Sequence, residues 1–334
     1  MLNKDSSYIW NETNTFTMIG KNTYSETRGR QSFHEAESFC EFHFRQLGKC
    51  WHLYTPEDFE IIFSDDNDFR AGMTLFALCS LDTPGVTILT FEWMNNHLHA
   101  TLAGEETDIR RFFKKLALLL ERYLRNRGRT TSLKQWTYRL RAISDLRDMR
   151  SVIAYNNRNG YLVNDQETPF TYPWGANRFF YNPSAGKDHI HSKDRLKVRD
   201  IWDTFHTRRF DKLCGLVIVD GYVSPLEYCH IREAEALFRD AHQYYYAISR
   251  DYDIQRRLAK EFGDRVTYTD NELYAVVADL CRDSFRASSP AVLDKEAKTA
   301  VARKMHFDYN ASDKQISRIL RLETNLVHEM FSKK

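Results

Sequence analysis

An α+β fold is predicted for this chain, with an antiparallel sheet in its first half and an all-α second half. Three observations predict it. Between residues 50 and 160, strand-like alternation and helix-like spacing succeed one another in the order β-α-β-β-α-β-α. Turn signals, Pro84-Gly85 and Asn95-Asn96, separate the strands. Beyond residue 190 the recurring period is helical. At roughly 150 residues per domain, the 334 residues suggest two domains. Hydrophobic residues make up 42% and charged residues 28%, which excludes a disordered chain, a collagen or a disulfide-stapled miniprotein. No apolar run reaches the roughly 18 residues of a membrane helix, and Met1 to Asn14 is polar rather than leader-like, so a soluble cytoplasmic protein without a membrane partner is expected. The six cysteines, Cys40, Cys50, Cys79, Cys214, Cys229 and Cys281, include no Cys-x-x-Cys pair, which argues against a zinc ribbon or a secreted disulfide framework.

The elements follow in order. Residues 1–49, rich in Asn, Thr, Ser and acidic groups, read as an irregular extension with a short helix over 32–46. Trp51 to Thr55 alternates as a strand does, and Phe69 to Leu81 has helical spacing. Val86 to Trp93, β-branched and aromatic, and His97 to Leu102 form the two strands of a hairpin. Thr107 opens an amphipathic helix to about Asn126, with Ile109, Phe112, Phe113, Leu116, Leu119, Leu120 and Tyr123 on its apolar face. Trp136 to Ile143 alternates again, and Asp145 caps a helix running to about Arg158. That order is a ferredoxin-like split βαβ core plus one helix. A Pro/Gly/Tyr/Trp-rich loop, Pro169 to Gly186, leads to segments 194–212, 224–248, 251–262, 270–286 and 293–305, all helical in spacing. The domains are then 1–49, an extension; 50–189, the α+β core; and 190–334, the helical part, in which 312–331 has the outline of a helix-turn-helix.

The formal net charge of +2 conceals an uneven distribution. Residues 1–107 carry 7 Lys/Arg against 16 Asp/Glu, residues 108–150 carry 13 against 4, and the remainder is nearly balanced. The middle block therefore reads as a surface for a polyanion, with a solvated helix face as the plainer alternative.

Asn96-His97-Leu98-His99 puts two imidazoles at i and i+2 on a strand, so that both project from one face and can hold a divalent metal. The pattern is common, and His189-Ile190-His191 repeats it in a polar loop. A second element adds weight: Tyr155 and Asn159 stand at i and i+4 on a helix. An asparagine carbonyl can complete a two-histidine site, and a tyrosine hydroxyl beside a metal can attack a phosphodiester. A covalent phosphotyrosine keeps the bond energy for rejoining, which suits strand transfer.

The run Phe91-Glu92-Trp93-Met94-Asn95-Asn96-His97-Leu98-His99 resembles the Met-Pro-Asn-His-Val-His strand of the single-tyrosine HUH transposases, in particular the REP-associated tyrosine transposases of the insertion sequence 200 type. Ala154-Tyr155-Asn156-Asn157-Arg158-Asn159-Gly160 resembles that family's Arg-Tyr-Ile-His-x-Asn-Pro helix, and Tyr172-Pro173-Trp174-Gly175-Ala176 its Pro-Trp-Ser-Ser segment. The resemblance spans residues 50 to about 185; Asn95, Ala154, Gly160 and Gly175-Ala176 depart from it. It implies an HUH core with His97, His99 and Asn159 as ligands of Mg2+ or Mn2+, no small-molecule cofactor, and Tyr155 as the nucleophile that forms a 5′-phosphotyrosine on single-stranded or hairpin DNA. Exchange of tyrosines between two copies would make the chain a homodimer.

In that setting Arg110, Arg111, Lys114, Lys115, Arg122, Arg125, Arg127, Arg129, Lys134, Arg139 and Arg141 are candidates for phosphate contacts, and Trp136 and Tyr138 for base stacking. The run Tyr244-Tyr245-Tyr246 reads as packing, with no histidine pair near it in sequence. The expected function is a metal-dependent DNA transposase or strand transferase; a catalytically silent DNA-binding regulator on the same scaffold is the alternative.

Overall fold

The computed structural model describes residues 6–10, 16–20, 33–129, 132–162, 170–192, 195, 197, 199, 214–250, 252–264 and 268–332. Strands β1 (Ser6–Trp10) and β2 (Phe16–Gly20) pair with each other where an irregular extension is expected. Helix α1 (Phe33–Gln46) follows, tied to the later core through a bidentate contact of Arg150 with Glu37 at 2.7 and 3.1 Å.

Four antiparallel strands form the main sheet: β3 (Cys50–Tyr54), β4 (Val86–Trp93), β5 (Leu98–Gly104) and β6 (Arg139–Ala142), in the order β4-β5-β3-β6. Helix α2 (Asp66–Leu81) connects β3 to β4 across the position of β5, and α3 (Glu106–Asn126) connects β5 to β6 across β3. The mixed α+β class and the antiparallel sheet agree with the sequence. Asp65 starts α2 by accepting from the backbone N–H groups of Asn67 and Asp68, the usual role of an N-cap carboxylate. The expected strand over 136–143 is shorter, because Trp136 ends a 3-10 turn and turns into the core between Trp93 and Phe113.

Period-two alternation gives the sheet two different faces. Leu53, Phe91, Trp93, Leu98, Ala100 and Leu102 belong to the apolar core, with Phe76 of α2 against Phe91 and Phe112 of α3 against Phe76. His52, Thr90, Glu92, His99 and Thr101 alternate with them, all buried, and meet α4 (Leu146–Leu162). Asp145 caps α4 through the backbone N–H of Asp148 at 2.8 Å. The helix continues past Arg158, so Tyr155 and Asn159 lie on the same helical stretch.

The segment after residue 170 runs beside β4. Trp93 donates its backbone N–H to Trp174 at 2.8 Å, and Ala176 donates to Phe91 at 3.0 Å. A Cβ on Gly175 would stand 2.8 Å from the Phe91 carbonyl oxygen, so the glycine permits this close approach. Helix α5 (Pro183–His191) therefore holds the second His-x-His where a loop is expected, and the hairpin of β7 (Ile218–Val219) and β8 (Tyr222–Val223) follows. The helix expected over 224–248 is broken into a 3-10 turn, α6 (Ile231–Glu235) and α7 (Ala241–Arg250), because Pro225 lacks a backbone N–H and His230 donates its own to Ile88 of β4 at 2.7 Å. Tyr222, Phe238, Tyr244 and Ile248 share the core of the sheet, so this core takes in residues on both sides of residue 190. Helix α8 (Tyr252–Phe262) closes over the polar face.

Helices α9 (Asp270–Phe285), α10 (Lys295–Tyr309), α11 (Asp313–Leu320) and α12 (Thr324–Phe331) pack around a second core built from Leu273, Val277, Val301, Met305, Ile316 and Val327. The segment expected to be helical at 194–212 lies outside the described residues apart from 195, 197 and 199. Among the described residues, no helix is long and apolar enough to cross a membrane.

Candidate active site

The site lies between the polar face of the sheet, α4 and the end of α8. His97 precedes β5, and His99 is its second residue; their rings meet edge to face with centroids 5.2 Å apart. His52 on β3 stacks on His99 at 5.3 Å, Tyr54 stacks on His52, and the Tyr155 ring meets His99 at 5.6 Å. His99 and His52 are fully buried and His97 is 7% exposed. Burial removes the solvation an imidazolium needs, so His97 and His99 are each pushed down to about 3 and His52 well below its ordinary value. All three are neutral at physiological pH, the state a metal ligand requires.

The tautomer of His97 follows from the side-chain amide beside it. The Asn96 amide nitrogen donates to the carbonyls of Glu57 and Phe59, which leaves its oxygen to accept from His97 Nδ1 at 2.7 Å. His97 thus carries its proton on Nδ1 and a lone pair on Nε2. The Asn156 amide nitrogen donates to the Thr101 hydroxyl at 2.8 Å. His52 Nε2 and His99 Nδ1 lie 3.1 Å apart and share one hydrogen bond, whose donor depends on the tautomers of the two rings. His52 Nδ1 and Asn156 Oδ1 are buried with no hydrogen-bond partner.

Tyr155 is 3% exposed. Its hydroxyl donates to Asp264 Oδ2 at 2.6 Å, and the Asn159 side chain is close enough to lower the pKa of the same hydroxyl. Burial first, then the neighbouring Asp264 charge, raises the Tyr155 pKa well above its ordinary value. Asp264 Oδ2 also lies 3.3 Å from His99 Nε2. Because His99 is neutral, this approach is not an ion pair. His99 Nε2 and Asp264 Oδ1 are both buried without a hydrogen bond. Phe262 packs on His52, Tyr54 and Tyr155 with ring centroids 4.3 to 5.2 Å apart, and so covers the cluster.

Neutral His97 and His99 are of the donor type that a divalent cation takes, and His97 presents a lone pair on Nε2. Among the described residues, no group of three or more His, Cys, Asp or Glu side chains is placed to hold a metal ion. The structure brings His97, His99, Tyr155 and Asn159 into one neighbourhood. His52 is legible from the sequence only as an alternating strand residue, and Asp264, 109 residues from Tyr155, leaves no local signal there.

The basic block divides in two. Arg129 contacts the buried Asp68 at 3.1 Å, Arg127 contacts Asp65 at 3.0 Å, and Lys115 pairs with Asp82. Arg141 clamps Asp148 at 2.9 and 3.0 Å and reaches Glu261 of α8. Arg110, Arg111 and Arg125 hold helical neighbours on α3 at exposed positions. Lys114, Arg122, Lys134 and Arg139 are exposed, and no ion pair engages them among the described residues. Trp136 is 4% exposed and offers no face to a base, which corrects its expected stacking role; the half-buried Tyr138 packs on Phe113 and accepts from Arg110 at 3.1 Å. Arg110, Lys114, Lys134 and Tyr138 line one open groove between α3 and the turn before β6. In the C-terminal helix pair, Arg321 takes the left-handed conformation (φ +53°) between α11 and α12, and α12 carries no lysine or arginine.

No protein family, curated protein or solved structure matches this chain.

Proposed function

We propose that the chain is a metal-dependent single-tyrosine DNA strand transferase of the HUH type, acting on single-stranded or hairpin DNA. The observation that carries this reading is the convergence of the buried Tyr155 side chain with His97 and His99, the Tyr155 ring lying 5.6 Å from that of His99 and the two imidazole rings 5.2 Å apart. The strand order β4-β5-β3-β6 with its two crossover helices supports the split βαβ core that such an enzyme uses. The motif resemblance over residues 50 to about 185 supports it independently.

In the reaction, the Tyr155 oxygen attacks phosphorus, the bond from phosphorus to the 3′ oxygen breaks, and a 5′-phosphotyrosine forms. The hydroxyl proton passes to Asp264 Oδ2, its present acceptor, and a proton from the site returns to the departing 3′ oxygen. Asn159 lowers the pKa of the attacking hydroxyl. His97 and His99 would hold a Mg2+ or Mn2+, which would stabilise charge on the phosphoryl oxygens. Lys114, Arg122, Lys134 and Arg139 supply the exposed phosphate contacts. Four such contacts give a slope of roughly −3 for log K against log salt on single strands. Phe262 has to leave Tyr155 before DNA can enter.

The test is incubation of the full chain with a hairpin oligonucleotide and Mn2+. A covalent protein–DNA adduct is expected, and Tyr155→Phe abolishes it; an adduct that persists in that variant refutes the assignment. The burial of Tyr155 under α8 favours a second reading, a silent DNA-binding regulator on the same scaffold. DNA binding without an adduct in either Mg2+ or Mn2+ selects it.

A further inference from the structure

We propose that the end of α8 is an intramolecular stand-in for a DNA strand: Glu261 holds the place of a phosphate on Arg141, and Phe262 the place of a base on the rings of Tyr54 and His52. A strand and α8 therefore compete for one site. The inference rests on the proposed function in taking single-stranded DNA as the ligand.

Arg141 of β6 is prepared for an anion without α8. Asp148, near the start of α4, clamps its Nη1 and Nη2 at 2.9 and 3.0 Å, which leaves the Nε edge to Glu261. That edge keeps its position when Glu261 leaves. The Glu261 side chain is 43% exposed, so its hold on Arg141 is of the solvent-screened kind that another anion readily replaces. A phosphate oxygen presents negative charge to the same N–H.

Phe262 lies among three rings. Its centroid is 4.3 Å from that of His52, 4.9 Å from Tyr54 and 5.2 Å from Tyr155, and the Arg141 guanidinium carbon lies 5.8 Å from it. His52 and Tyr54 are themselves stacked, 4.9 Å apart with their planes 21° from parallel, and so form a continuous aromatic floor. An unpaired base takes such a floor as a phenyl ring does, because both offer a flat π face. An anion and a ring side by side are what one nucleotide supplies.

Helix α8 is also the part of the fold that can leave. Its apolar contacts, through Leu258, Ala259 and Phe262 with Tyr54 and Tyr155, form a small cluster apart from the two larger cores. Both amide atoms of Gln255 on α8 are buried with no hydrogen-bond partner, as are His52 Nδ1 and Asn156 Oδ1 on the covered face, so the docked state leaves polar groups unsatisfied. Gly263, in the left-handed conformation (φ +81°), separates Phe262 from Asp264. A turn about this glycine removes Glu261 and Phe262 while Asp264 stays on the Tyr155 hydroxyl.

The test is hydrogen exchange of the full chain with and without an oligothymidylate, in EDTA so that no covalent step enters, together with the affinity by fluorescence anisotropy. Binding of the strand should speed exchange of the amides in 255–262 by at least about tenfold. Glu261→Gln and Phe262→Ala should each tighten binding by at least about threefold, because the open form is then more populated before the strand arrives. Glu261→Gln should also steepen the salt slope by about 0.7, the share of one phosphate, since Arg141 then gives up a counterion instead of a carboxylate. In the Phe262→Ala background, Tyr54→Ala should weaken binding by at least about fivefold. Circular dichroism establishes that the variants fold, and Glu261→Gln, at an exposed side chain, decides the case should Phe262→Ala not. Unchanged protection of 255–262 in the complex, or variants within about twofold of wild-type affinity, overturns the inference and leaves the proposed function standing. Faster exchange and tighter binding in a chain that forms no adduct with Mn2+ uphold the inference while strand transfer fails. If neither the wild type nor the variants bind the strand, both fail.

Discussion

The amide of Asn96 decides where the proton of His97 sits. It donates to the Glu57 and Phe59 carbonyls, and its oxygen accepts from His97 Nδ1. Replacing Asn96 by Ala frees that imidazole to change tautomer, and, for the proposed metal site, a loss of about 10–100-fold in Mn2+ affinity is expected by titration calorimetry. Acid stability reports the same residues. His97 and His99 are held neutral down to about 3 in the folded chain but titrate near 6.5 once unfolded. Between those values the unfolded state binds more protons, so stability falls as pH drops from about 6.5 toward 3, by up to about 1.4 kcal/mol per pH unit for each histidine. Urea midpoints measured along this range should fall more gently in His97→Gln. A third expectation concerns the buried contact of Arg158 with Glu272, which joins α4 to α9. Glu272→Gln removes this carboxylate from a buried guanidinium and should lower the urea midpoint, while a paired apolar replacement of both residues should cost less.

At the scale of elements, α3 and the loop after it carry a positive charge that the fold has largely committed. Arg129 closes on Asp68, a carboxylate 2% exposed that also takes hydrogen bonds from Ser64 and Tyr123. Arg129→Ala should therefore lower the urea midpoint and leave the salt slope of DNA binding unchanged. Lys134→Gln should do the reverse, reducing the slope by about 0.7 without affecting stability, as fluorescence anisotropy over a salt series would show. The amphipathic pattern of α3 was legible because one element determines it: Ile109, Phe112, Phe113, Leu116, Leu120 and Tyr123 are buried as their spacing requires. Which of its cations face solvent was not legible, because their acidic partners Asp65, Asp68 and Asp82 belong to α2 and its ends.

For the whole molecule, the helical second half is not a separate appendage. Val223 and Phe238 lie in the sheet's core, and Tyr244 accepts from Asn157 of α4 at 2.7 Å and reaches Asn177. A chain truncated after residue 189 should lose cooperative unfolding and bind a hydrophobic dye, because it exposes this apolar surface; calorimetry and dye fluorescence would check it. The four helices from 270 to 331 enclose a core of their own, and Arg158–Glu272 ties them to the nucleophile helix. In the proposed reaction, DNA entry, metal binding and the docking of α8 would be linked through one small volume around Tyr155.

The sequence by itself determined the α+β class, the strands and helices from 50 to 162, and the pairing of His97 with His99 and of Tyr155 with Asn159. These depend on periods of two and of about 3.6 residues, on turn residues and on short spacings, all of which are local. Only the tertiary structure decided that His52 stacks on His99 and shares a hydrogen bond with it, that Trp136 is core, and that Asp264 and Phe262 close the site. Each of those is a meeting of residues from different elements, and the burial and hydrogen bonds that result exist only once the chain has folded.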